Sequence, residues 1–91
     1  MAFSLCAGCD DDIRGSSERS RDGQTWLRVA DDNGGGCGPI LVDGRRWRHA
    51  IGEPGRVSPG PHRIACGVSM DDDLVVEVSA GTIYTFDYWG P

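Results

Sequence analysis

The sequence predicts a small all-β protein, an antiparallel β-sandwich or barrel of about six to seven strands preceded by a long N-terminal loop. Three observations lead there. The 91 residues include 14 glycines and 5 prolines, a composition suited to short strands joined by tight turns. The apolar residues fall in brief alternating runs rather than at helical spacing. Trp26, Trp47, Tyr84, Phe86, Tyr88 and Trp89 supply large groups for a core that a disordered chain would lack.

The elements follow in order. Ala2-Phe-Ser-Leu-Cys6 is a short apolar stretch that could form a first strand. Arg14 to Gln24 is polar and without apolar periodicity, so it reads as a loop. Thr25 to Ala30 alternates and predicts a strand, and Asp31-Asp-Asn-Gly-Gly-Gly36 predicts a turn. Pro39 to Asp43 is an apolar strand ending in Asp43-Gly44, a strong two-residue hairpin signal. Its partner would be Arg45 to Ile51, with Arg45, Trp47, His49 and Ile51 on one face and Arg46, Arg48 and Ala50 on the other. Residues 52–60, broken by Pro54 and Pro59, form a loop with room for one short edge strand. His62, Ile64, Cys66 and Val68 then share a face, as do Leu74, Val76 and Val78, and Thr82 to Tyr88 is the last strand. The organisation is one domain over residues 1–91, with 1–24 as an arm and 25–91 as the sandwich.

Charge narrows the partners. The chain carries −5 overall, against the basic footprint that general nucleic-acid binding requires. All its side-chain cations apart from histidine are arginines, and they are unevenly placed. Residues 43–63 hold Arg45, Arg46, Arg48, Arg56 and Arg63 against Asp43 and Glu53, while residues 64–91 hold acids and no arginine. The plain expectation is that Trp47 faces the core and the arginines lie beside acidic strands, with Arg46 and Arg48 against Glu77 or Asp87. The sharper one is that Arg45, Arg46, Trp47 and Arg48 form a surface for an acidic partner or, as an alternative, a nucleic acid. The face of the last strand left over from the core offers a further surface for a protein partner or self-association. No stretch approaches the roughly 20 apolar residues of a membrane span, and no secretory pattern opens the chain. The expected location is therefore the cytoplasm.

In that compartment, cysteines suggest metal before disulfide. Cys6-Ala-Gly-Cys9 has the spacing with which one turn offers two thiolates to one ion. Cys37 and Cys66 are each followed by glycine, which lets the backbone turn its N–H groups toward a sulfur. Together Cys6, Cys9, Cys37 and Cys66 would make a structural zinc site, with free thiols or CxxC redox chemistry as alternatives. His62 cannot join Cys66 on that ion, since four residues of strand separate them by roughly 13 Å. No catalytic residues emerge: His49 and His62 lack a recognisable nucleophile.

Leu41-Val-Asp-Gly44, Val57-Ser-Pro-Gly-Pro-His-Arg-Ile64 and Val76 to Tyr84 resemble the small PEGA-type β-sandwich domains. The resemblance covers residues 39–86. The Gly-x-Thr-Pro element of such domains is absent, with Gly55-Arg-Val-Ser-Pro59 in that region. The resemblance implies an accessory or interaction module without catalytic residues. With no nucleophile and with this cysteine pattern, the expected role is a non-enzymatic one, as a dimer or as an accessory subunit of a larger bacterial or phage assembly.

Overall fold

The computed structural model describes residues 13–67 and 74–89, and these form two four-stranded sheets without a helix. The strands are β1 (Gly15–Arg19), β2 (Trp26–Val29), β3 (Ile40–Val42), β4 (Arg45–Arg46), β5 (Pro54–Arg56), β6 (Gly60–Cys66), β7 (Leu74–Val78) and β8 (Thr82–Phe86). One sheet has the order β1-β8-β2-β5 and the other β4-β3-β6-β7. The all-β sandwich expected from the sequence is what forms, with eight strands among the described residues. The expected strand at Ala2–Cys6 lies outside them.

Alternation decides what is buried. Leu27, Val29, Tyr84 and Phe86 point inward from one sheet; Ile40, Val42, Ile64, Cys66, Val76 and Val78 point inward from the other. Every second residue of β2, β7 and β8 is thus removed from water, the condition under which a one-residue slip would expose the entire core face. Fully burying a side chain such as Leu27 or Ile64 contributes about 1.5–3 kcal/mol before entropy is charged against it. Asp43 and Gly44 adopt φ of 54° and 82°, the paired positive values of a two-residue hairpin turn, and join β3 to β4 as the sequence predicts.

Three features differ from expectation. The segment Arg14 to Gln24 is not simply a loop: Gly15–Arg19 pairs antiparallel with β8 along its whole length. An edge strand is held by main-chain hydrogen bonds and needs no apolar alternation, which is why Gly-Ser-Ser-Glu-Arg escapes a pattern search. The sandwich therefore begins within the expected arm. Second, the sheets are not wholly antiparallel, because β2 runs parallel to β8. Third, the strand expected over Arg45 to Ile51 stops at Arg46. The Trp47 amide still donates to the Ile40 carbonyl, but by Gly52 (φ 88°) the amide donates to Val29 of the opposite sheet. Residues 47–53 thus carry the chain across one side of the sandwich, and a continued strand could not make that crossing.

Cys37 and Cys66 are joined by a disulfide across 29 residues, with Cα atoms 4.6 Å apart and both side chains buried. The bond fastens the turn after β2 to the end of β6. Gly67 (φ 63°) is required there, since a Cβ would collide with the Cys37 carbonyl.

Candidate functional site

The crossing segment builds a cleft of about 540 Å³ against the β3–β4 hairpin and the β5–β6 loop. Arg45, Arg46 and Arg48 line it with Arg56, and Trp47, His49 and His62 supply its aromatic surface. Trp47 and His49 settle side by side, ring centroids 4.7 Å apart, because residue 55 on the neighbouring strand is glycine. The sequence-expected group Arg45, Arg46, Trp47 and Arg48 is thus brought together. It forms one concave wall rather than the two opposed faces of a strand.

The cations of this wall have no carboxylate partner among the described residues. Among the described residues, none of Arg45, Arg46 and Arg48 is in an ion pair, and neither Glu77 nor Asp87 neutralises Arg46 or Arg48. Arg56 lies 5.6 Å over the Trp26 ring, which braces its guanidinium by cation–π attraction. Asp43, the one carboxylate among the described residues lining the cleft, is already committed. Its Oδ1 accepts the Arg63 amide and its Oδ2 meets His62 Nδ1 at 2.6 Å.

His62 forms the floor. It points inward from β6 and is 6% exposed, with Nδ1 on Asp43 and Nε2 at 2.6 Å from the Ser58 carbonyl oxygen. A carbonyl only accepts and an ionised carboxylate only accepts, so both contacts are hydrogen bonds when both ring nitrogens carry hydrogen, the imidazolium form. Burial disfavours that charge. The Ser58 carbonyl, the Asp43 carboxylate and the charge of Glu77 outweigh it and hold the His62 pKa above the ordinary 6.5. On Asp43, desolvation pushes upward, and the His62 and Arg63 contacts reverse it, leaving the pKa below 3.8. A carboxylate on Nδ1 is half of a hydrolase triad, but Nε2 faces a main-chain oxygen and not a nucleophile.

Cys37 and Cys66 are brought together by bonding to each other. As a disulfide, neither supplies the thiolate that zinc requires, so a four-sulfur zinc site would need that bond reduced. Its other expected ligands, Cys6 and Cys9, lie outside the described residues. Among the described residues no group of three or more His, Cys, Asp or Glu side chains is arranged around a common point, and no helix is long and apolar enough to cross a membrane.

Tyr84 and Phe86 are core residues. Trp89 packs edge-on against Phe86 and donates its indole N–H to the Asp31 carbonyl, which leaves Tyr88 as the exposed aromatic of the C-terminal segment. The sequence reading missed the His62–Asp43 pair. Its signal was a histidine on an alternating apolar face, since a buried imidazole requires partners. Fold and cleft define a class, a small β-sandwich bearing a basic, aromatic-walled cleft. No family model matches the chain, and no curated protein or solved structure matches it.

Proposed function

We propose that this chain is a non-enzymatic interaction module that receives an acidic segment of a protein partner in the Arg45–Arg48 cleft. One observation carries the reading: the arginines gathered on one concave wall without carboxylate partners among the described residues, on a chain that is otherwise acidic. Charge arranged this way steers and orients a negatively charged partner. The local extent of the basic surface favours an acidic peptide over a nucleic-acid backbone, which needs cations along a longer track. The missing nucleophile at His62 Nε2 supports a binding role over hydrolysis, as does the PEGA-like pattern of residues 39–86.

The Cys37–Cys66 disulfide supports an oxidising compartment in place of the cytoplasmic expectation, because such bonds persist there. It also supplies the staple that a domain of this size needs, the role first expected of zinc. Alkylation without reductant followed by intact-mass measurement tests the staple, and modification of both cysteines would overturn it. Native mass spectrometry with and without chelator tests the metal alternative.

The test of the cleft is calorimetric titration with a hexaglutamate peptide at low salt. Binding should weaken with added salt and fall at least about tenfold in the double variant Arg46→Ala, Arg48→Ala, a loss of about 1.4 kcal/mol. No binding, or affinity unchanged in the double variant, would overturn the reading. Tighter binding of a single-stranded oligonucleotide, lost in the same variant, would favour the nucleic-acid alternative instead.

A further inference from the structure

We propose that His62 is a proton-operated latch between the two walls of the cleft, so that the grip on an acidic ligand weakens as the imidazole deprotonates. This deepens the reading of the cleft as an acidic-ligand site and rests on it.

The argument is geometric. Among the described residues, His62 is the one side chain that hydrogen-bonds both the β3–β4 turn, through Asp43 Oδ2, and the β5–β6 loop, through the Ser58 carbonyl. Both segments line the cleft, the turn through Asp43 and Arg45 and the loop through Val57 and Ser58. Both contacts end on acceptors, so both need a ring hydrogen. A neutral ring has one. Its bare nitrogen would then face an oxygen 2.6 Å away, two lone pairs in opposition, and one wall must move off. The lost proton also removes a positive charge from beneath the arginines.

The groups facing the ring reinforce the switch. Asp43 from the β3–β4 turn and Glu77 from β7 favour the charged ring, and the Ser58 carbonyl accepts from it. Arg63, on its own strand, draws on Asp43. Arg45, Arg46, Arg48 and Arg56 complete the charged lining of the cleft, with the titratable His49 beside them.

The sequence provides a clean variant. In Asp43→Asn, the amide oxygen still accepts the Arg63 N–H while its NH₂ donates to Nδ1, so a neutral imidazole satisfies both walls. Asparagine also tolerates the φ of 54° at this position. The experiment titrates hexaglutamate into both proteins from pH 6 to pH 9, where glutamate stays ionised, and follows the His62 ring by NMR in the same samples. In the parent protein, affinity should fall about three- to tenfold across the His62 titration, the scale of one unit charge several ångströms away near a surface. In Asp43→Asn the ring titration should move to lower pH by at least about one unit, and affinity should no longer fall above pH 6, since the neutral ring keeps both contacts. The titration is followed on His62 itself, so the lost step belongs to His62. Binding that ignores the His62 titration, a step at the same pH in both proteins, or a ring already neutral at pH 6 would overturn the latch alone. Absence of hexaglutamate binding at every pH, with the His62 titration intact, would overturn the cleft reading and the latch with it.

Discussion

The indole of Trp47 rests on Gly55: a Cβ at that position would lie 2.7 Å from Cη2, inside any real carbon contact, and would strike the His49 ring as well. The crossing segment meets β5 at this contact, and it sets the wall of the cleft. Gly55→Ala should therefore push both rings outward and destabilise the protein by about 1–3 kcal/mol, as overpacking of a fitted site does. Thermal unfolding reads the loss and Trp fluorescence reads the displaced indole. An alanine variant with the parent's midpoint and spectrum would refute the packing role.

Gly15 makes a similar claim at the opposite edge of the same sheet. A Cβ there would penetrate the Thr85 carbonyl, to which β1 is laid alongside. Gly15→Ala should detach the start of β1 from β8 and cost about 1–3 kcal/mol. Amide hydrogen exchange of the β1 segment should rise above that of β2. Equal protection in parent and variant would count against the register.

Removal of the disulfide by Cys37→Ala with Cys66→Ala should lower stability by about 3–4 kcal/mol, the chain-entropy value for a closed loop of this length. Urea unfolding of the double variant against the oxidised parent measures it. A reductant should destabilise the parent and leave the variant unchanged.

Stability should also depend on pH through His62 and Asp43, and the signs oppose. The His62 pKa is raised on folding, so its contribution is complete below the unfolded value near 6.5 and is lost as pH rises through the folded value. The Asp43 pKa is lowered, so its contribution is present above about 3.8 and is lost as pH falls through the folded value. Chemical unfolding should find this pair's stabilisation greatest between about pH 4 and 6.5. The decline on the alkaline side should be reduced in Asp43→Asn. A parent curve flat above pH 6.5 would refute the imidazolium.

What the sequence makes legible is whatever depends on neighbours along the chain. Alternation in Leu74 to Val78 and the Asp43-Gly44 turn are local, and both are found where their patterns place them. β1 and the parallel pairing of β2 with β8 have no local pattern, because main-chain hydrogen bonds are indifferent to side-chain identity. The Arg45–Arg48 wall was visible as composition, but its concavity depends on a crossing between sheets that strand periodicity cannot express. The link between Cys37 and Cys66 was obscured because the expected compartment determined how their sulfurs were read. His62 was weighed against Cys66 and as a catalytic base, when its partners were Asp43, across the hairpin, and the Ser58 main chain.

The position of β8 has a consequence for how the molecule comes into being. It lies between β1 and β2, so the middle of its sheet is the last of the described strands to leave the ribosome, and the Arg28–Thr85 side-chain contact spans 57 residues. Until that strand emerges, β1 has no neighbour among the described strands and β2 pairs there with β5 alone. Assembly of this sheet must therefore wait for residues 82–86, and pairings so distant in sequence make for slow folding. A message truncated a few codons short of residue 86 would yield one half of a sandwich and two strands with nothing between them.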